Sequence, residues 1–300
     1  MEREDAGSRL PRGAWVEAVL AISVICAGAA YPVTAAALRH TSASVITTTR
    51  ALAGGLVMLP VLRLAGAHLP RDRRSWAWAA GISVGNVVLT QAAIAEGTRL
   101  AGAAVTSVLL NSAPFFVALF ARLWLGEHLT RRGVAGLVVG FSGIVLIVGS
   151  QGGASGSNVA AGAFVCLSGA LGWAGAGLAM RYLSTRQAAF DVYGATTAQF
   201  LCGGILVIPY LLLDRPTPTD FSSPTFWASM VFLVVGAQVV AYVGFYVALR
   251  HWSSARVFSW TFLVPAVAVA IEAAQGNLPG ALTTAGLVVV ILGVAFVTVE

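Results

Sequence analysis

The chain has no lysine; all 18 of its basic residues are arginine. Charge of either sign is sparse, at 10% of residues against 58% apolar, and the mean hydropathy is +0.83. That apolar surface is too large to hide inside one soluble core, so the chain belongs in lipid. Cysteine is limited to Cys26, Cys166 and Cys202, an odd set inside apolar stretches without metal-ligand spacing, which reads as core filling. His40, His68, His128 and His251 fall at helix ends and form no ligand cluster. No phosphate-cradling loop is present, which argues against direct ATP drive. No Ser–His pair, Asp dyad or metal triad supports a membrane-embedded enzyme, and no cofactor is expected. No carboxylate sits at the centre of an apolar stretch, which weakens a carboxylate proton relay.

What fills the chain is a series of apolar stretches of roughly 20 residues, the length that crosses a bilayer as helix. They are too long and too uniformly apolar for the alternating strands of a membrane barrel. Ten segments are expected, starting near Trp15, Ser44, Ser75, Gly102, Gly133, Val159, Val192, Phe226, Ser253 and Gly280. Their ends fall near Leu38, Leu64, Glu96, Trp124, Gly149, Arg181, Leu213, Leu249, Ala273 and Val299. An all-α integral membrane protein follows.

The second half repeats the first. Ala135-Gly136-Leu137-Val138-Val139 recurs as Ala285-Gly286-Leu287-Val288-Val289, and Trp76, Gly85, Arg99, Pro114 and Gly143 have counterparts in Trp227, Gly236, Arg250, Pro265 and Gly293. The division expected is 1–150 and 151–300, five helices each. Because five is odd, the second copy enters the bilayer from the opposite side, the inverted repeat of secondary transporters. With the N-terminus cytoplasmic, every arginine except Arg39, Arg50, Arg99 and Arg215 falls in the tail or a cytoplasmic loop. The positive-inside rule therefore places both termini in the cytoplasm. The net charge of +6 reports topology, and no nucleic-acid partner is expected. Arg9 and Arg12 ahead of an apolar run ending near Thr34-Ala35-Ala36 have the shape of a leader, but cleavage would delete the first helix of a repeat.

The segment Gln151-Gly152-Gly153-Ala154-Ser155-Gly156-Ser157-Asn158 joins the halves as a flexible linker or an ordinary loop. Small residues crowd the first and sixth helices, where they permit close backbone approach. Pro114 and Pro265 are expected as mid-helix kinks in the fourth and ninth helices. Pro32 does the same late in the first, and Pro60 and Pro209 pair near the inner ends of the second and seventh.

From Glu96 to Ile147 the chain reads Glu-Gly-Thr-Arg-Leu-Ala-Gly-Ala-Ala, an apolar helix with Pro114, Leu125-Gly126-Glu127-His128-Leu129-Thr130 and a Gly-rich helix. This resembles the EamA-type repeat of the drug/metabolite transporter superfamily, and the stretch from Tyr246 through Pro265 to Gly286 resembles it again. Thr49-Arg50-Ala51-Leu52-Ala53 is similar to the family's arginine-bearing second helix. Two departures stand out: Gly276-Asn277-Leu278-Pro279 replaces a glycine-glutamate helix end, and Gln199 stands where Arg50 would recur. The resemblance implies a secondary carrier in a bacterial inner membrane, often an exporter of amino acids or other small metabolites. It also implies a cavity between helices one to four and six to nine, with five and ten outside.

Few polar residues are available to touch a substrate. Asn86, Asn111, Trp173, Gln238 and Trp260 lie at mid-depth, and Tyr242 and Tyr246 share one face of the eighth helix. Gln91 occupies the repeat position of Tyr242. Amides can bond the carboxylate and ammonium of a zwitterion, and tryptophans can wall its side chain; the same amides also serve as interhelical glue. Arg50 is the costliest residue to place in lipid. It receives a substrate carboxylate, pairs with Glu96 or Glu272 in an outer gate, or snorkels to the interface. The function expected is export of neutral or aromatic amino acids by alternating access, in a monomer surrounded by lipid, with export of amphipathic drugs or organic cations as the alternative.

Overall fold

The computed structural model describes residues 14–113, 115–116, 120, 131–149, 156–186, 191–214, 218–251, 260–261, 263–277 and 279–298. Among them there is helix and turn but no strand. The helices are α1 (Ala14–Ala37), α2 (Ala43–Leu64), α3 (Arg73–Ala101), α4 (Ala103–Leu110) and α5 (Arg131–Gly149). They continue as α6 (Gly156–Arg186), α7 (Val192–Leu206, extended by Ile208–Leu213), α8 (residues 224–251), α9 (Leu263–Ala274) and α10 (Ala281–Thr298). Of the described helices, α1, α2, α3, α6, α7 with its extension and α8 are long and apolar enough to cross a membrane.

Local chemistry starts α3 and α8 in the same way. Asp72 caps α3 by accepting from the Ser75 N–H at 2.8 Å, and its repeat counterpart Ser223 caps α8 by accepting from Phe226 at 3.4 Å. Trp76 Nε1 donates to the Pro70 carbonyl at 2.9 Å, and Trp227 Nε1 to that of Phe221 at 2.9 Å. Both helices then widen into π segments, Val84–Leu89 and Phe232–Val240. A π turn carries an extra residue and disturbs the backbone ladder; the Thr90 hydroxyl answers it by donating to the Gly85 carbonyl at 2.8 Å.

Glycines set the helix crossings. In α2 and α7, a Cβ on Gly55 would lie 3.1 Å from Leu201 Cδ2, and one on Gly204 would lie 2.8 Å from Leu52 Cδ2. Leu52 and Leu201 are repeat counterparts, as are Gly55 and Gly204, so the contact is reciprocal and the two helices run antiparallel. The same holds for α5 and α10: Gly143 abuts Gly286 and Val290, and Gly293 abuts Gly136 and Gly140. Lipid gives no hydrophobic incentive for helices to associate, so close van der Waals packing of this kind carries much of the assembly.

The helix ends alternate. The loop after α1 meets the loop before α8, where Asp220 N–H donates to the His40 carbonyl at 2.9 Å and Thr41 and Thr219 hydroxyls sit 2.8 Å apart. The other ends of α1 and α8 meet through Trp15 and His251, edge to face at 4.9 Å. The loop after α2 instead meets the start of α7, where His68 N–H donates to Asp191 at 3.1 Å.

Several expectations need correction. Helix four, expected to run from Gly102 to Trp124, breaks at a turn over Asn111-Ser112. Trp260 is helical, and Pro265 lies in the first turn of the segment that resumes as α9, where the missing N–H costs no intrahelical bond. The chain turns just before it, at Thr261. Pro209 does not share an end with Pro60, because α2 and α7 are antiparallel; it starts the extension of α7 after a break at Val207. Pro114, Glu127, His128, residues 1–13, the linker residues 151–155 and the side chains of Tyr246 and Arg250 lie outside the description.

Candidate functional site

The π segments bring polar side chains from α3 and α8 against α2 and α7. Asn86 Nδ2 donates to Gln199 Oε1 at 3.1 Å, and the Tyr242 hydroxyl donates to Asn86 Oδ1 at 3.0 Å. Gln91 Nε2 donates to Gln238 Oε1 at 3.2 Å. Gln238 lies across the bare backbone of Gly54, where a Cβ would stand 2.0 Å from its Nε2. Arg50, one helical turn before Gly54, is 4% exposed, and its charge lies within electrostatic reach of Tyr242 and Tyr31. Asn111 Nδ2 reaches the Tyr31 hydroxyl at 3.2 Å from the broken end of α4. Aromatic walls close the cluster: Trp173 and Phe200 meet Tyr242 edge to face at 5.8 and 5.1 Å.

The cluster is not saturated. Arg50 Nε, Gln199 Nε2 and Gln238 Nε2 are buried donors without a partner among the described residues, and Gln91 Oε1 is a buried acceptor without one. Exchanging O and N on both Gln91 and Gln238 reverses their mutual bond and still leaves one donor and one acceptor free. Each such buried group costs about 1–3 kcal/mol until something bonds it. Among the described residues no carboxylate belongs to the cluster, so its single formal charge is that of Arg50.

The cluster gathers Arg50, Asn86, Gln91, Trp173, Gln238 and Tyr242, and through Tyr31 it includes Asn111. Gln199, Tyr31 and Phe200 also belong to it, although only Gln199 had drawn notice, as the residue replacing an arginine. Trp260 packs against an apolar cluster that includes Val16, Leu20, Val24 and Tyr31. Glu96 does not meet Arg50: it accepts from Arg99 Nε at 2.6 Å and from the Tyr210 hydroxyl. Glu272 lines a separate cavity with Arg39. Nor does Arg50 snorkel; its guanidinium is buried and makes no ion pair among the described residues. Among the described residues no three His, Cys, Asp or Glu side chains are grouped to hold a metal.

Comparison with known proteins agrees with this architecture. The EamA-like transporter family matches twice, over residues 14–149 and 160–299. An uncharacterized transporter of Bacillus subtilis, YvbV, is 25% identical over 94% of this chain and 91% of its own. An uncharacterized transporter of Synechocystis is 24% identical over 78% of this chain and 74% of its own. Protein PecM of Dickeya dadantii is 27% identical over 73% and 70% respectively. One crystal structure covers 95% of this chain and 96% of its own with a TM-score of 0.65 at 16% identity, a likeness of fold alone.

Proposed function

The chain belongs to the EamA-like transporter family and is a multi-pass membrane transporter, and we propose that it exports neutral, preferentially aromatic, amino acids by alternating access. In this reading the halves 1–150 and 151–300 are inverted five-helix repeats with both termini cytoplasmic. The carrier works as a monomer in a bacterial inner membrane. The observation that carries the proposal is the unsaturated buried cluster. A substrate carboxylate would bond Arg50 and a free amide N–H of Gln238 or Gln199, its ammonium would bond Gln91 Oε1, and an aromatic side chain would rest against Trp173, Phe200 and Tyr242. An organic cation would instead bring a second positive charge beside Arg50 in a low-dielectric interior, which disfavours the drug-export alternative. The reciprocal, antiparallel contacts of α2 with α7 support a movement in which the halves exchange roles.

Counterflow into proteoliposomes loaded with unlabelled amino acid tests this. Labelled phenylalanine or tryptophan should accumulate transiently, and Arg50→Ala, inserted and folded, should lower the rate about tenfold or more. A channel would show neither saturation nor counterflow. No accumulation of any amino acid by folded protein would overturn the substrate assignment, and an unimpaired Arg50→Ala would remove that residue from the path.

A further inference from the structure

A second candidate site lies away from the buried cluster. A cavity of about 470 Å³ opens where the C-terminal ends of α1 and α9 meet the junction of α3 and α4. Its lining joins apolar residues, Pro32 and Ala36 of α1 and Ala103 of α4, to the polar side chains of Arg39, Glu272, Gln275 and Asn277. That volume falls within the roughly 300–1,000 Å³ typical of small-molecule pockets.

The polar lining is built by a defined helix end. Gly276, at φ +83°, ends α9 in the left-handed region; Asn277 N–H returns to the Glu272 carbonyl at 2.9 Å and Gly276 N–H to that of Ala273 at 3.0 Å. This six-to-one and five-to-two pairing folds the chain back over the last turn, so Glu272, Gln275 and Asn277 share one rim. The first repeat reads Gly126-Glu127 at the corresponding place, where the second reads Gly276-Asn277. The lining thus carries an amide in place of a second carboxylate, and Glu272 is its sole acidic residue among the described ones. Arg39 and Glu272 both line the cavity, yet neither forms an ion pair among the described residues. One cation and one anion, unpaired among the described residues and sharing a cavity with apolar side chains, match a molecule that carries both charges and an apolar group.

We infer that this cavity is a second binding site for the transported amino acid, in which Arg39 receives the carboxylate, Glu272 the ammonium and the apolar lining the side chain. The inference rests on the amino-acid reading above and extends it to a place on the path distinct from the Arg50 cluster.

The test is equilibrium binding of L-phenylalanine, 2-phenylethylamine and 3-phenylpropanoate to purified protein in micelles, resolved into two sites by the part of the binding that Arg50→Ala leaves in place, which is the part the following variants report. Arg39→Gln should weaken phenylalanine and phenylpropanoate about tenfold and spare phenylethylamine; Glu272→Gln should weaken phenylalanine and phenylethylamine and spare phenylpropanoate. Asn277→Asp, at an exposed position that carries little folding risk, should strengthen phenylethylamine and weaken phenylpropanoate. Variants that bind all three probes as the native protein does, or lose all three alike, would overturn the site while leaving the transport reading intact. Failure of phenylalanine to bind the native protein at all would overturn both. Phosphatidylethanolamine carries the same pair of charges on its headgroup; if its addition alone displaced phenylalanine from native protein and not from Glu272→Gln, the cavity would belong to lipid and the inference would fail.

Discussion

Gly54→Ala would test whether the buried amides form the path. The added methyl would stand 2.0 Å from Gln238 Nε2 and 2.5 Å from its Cδ. Both atoms belong to a flexible side chain, so Gln238 moves before the helices do. Its bond from Gln91 at 3.2 Å then breaks, and Gln91, whose Oε1 is already unpartnered, is left with neither end bonded. Overpacking costs about 1–3 kcal/mol, and the better helix propensity of alanine returns about 0.8–1.0, so a net stability loss of about 0–2 kcal/mol is expected. Transport should suffer more. Displacing an amide that bonds a charged substrate group removes about 1.5–3 kcal/mol, a roughly 10- to 100-fold rise in half-saturation. Counterflow at graded substrate concentration measures the second effect and thermal unfolding the first. Gly81→Ala, whose methyl would meet nothing within 4 Å, is the control and should change neither for the worse. Gly203→Ala is the sharper comparison, because this repeat counterpart of Gly54 abuts Val87 Cβ at 2.4 Å, a branched side chain with no flexible end. It should lower stability more and half-saturation less. A folded Gly54→Ala with native half-saturation would remove Gln238 from the path.

Gly143→Ala and Gly293→Ala would drive methyls to 2.7 Å from Val290 N and 2.4 Å from Gly140 N, backbone atoms that cannot yield alone. Each should cost about 1–3 kcal/mol in thermal unfolding. The double variant should cost less than the sum, since both open one interface; strict additivity would refute the reciprocal contact. The Asp72 carboxyl is held below its ordinary value by bonds from the Ser75 hydroxyl and N–H, and that of Asp220 by the Ser222 hydroxyl and by His40. A depressed carboxyl stabilises the fold above its unfolded value of about 3.9 and loses that contribution as pH falls through the folded value. Asp72→Ala and Asp220→Ala should therefore unfold at lower temperature near neutral pH and converge with the native protein in acid; a gap independent of pH would refute the assignment. Exchanging Arg50 and Gln199, as Arg50→Gln with Gln199→Arg, keeps composition and charge but moves the cation to the other repeat. The exchanged protein should insert and fold while its counterflow of amino acids falls at least as far as that of Arg50→Gln alone; recovery of native transport would show that the site does not depend on which half holds the charge.

Periodicity and composition could reveal the apolar helices and the duplication because both are written in residue type at fixed spacing. Trp76 and Trp227 already mark equivalent helix starts as text, and their equivalent hydrogen bonds follow from that. The π segments were hidden: an extra residue per turn leaves no compositional trace in a helix that is apolar on nearly every side. Arg50, Gln91 and Gln238 could be picked out because polar residues are rare in lipid, but their partners could not. Depth suggested Glu96 for Arg50, whereas the helix rotation gives Glu96 to Arg99 and Tyr210. Tyr31 was missed because a tyrosine in an apolar helix looks like any aromatic core residue until Asn111 is found against its hydroxyl. Gln199 stood out as a broken repeat rather than as a ligand.

The residues that preserve the repeat and those that break it do different work. Gly54, Gly55 and Leu52 recur as Gly203, Gly204 and Leu201, and their contacts recur with them, so the crossing of α2 and α7 is the same seen from either half. In the cluster beside that crossing the pairs diverge: Arg50 faces Gln199 across the repeat, Asn86 answers to Ala237, Val87 to Gln238 and Gln91 to Tyr242. A symmetric backbone permits the two halves to exchange conformations at nearly equal energy, which is what alternating access requires. A symmetric lining would offer two identical half-sites, whereas a neutral amino acid, the substrate proposed above, carries a single carboxylate. Confining the cluster's one formal charge among the described residues to α2 of the first half would give such a substrate one orientation. A lining that differs between the halves, beside glycine contacts that have stayed paired, is the arrangement a carrier of small asymmetric molecules needs.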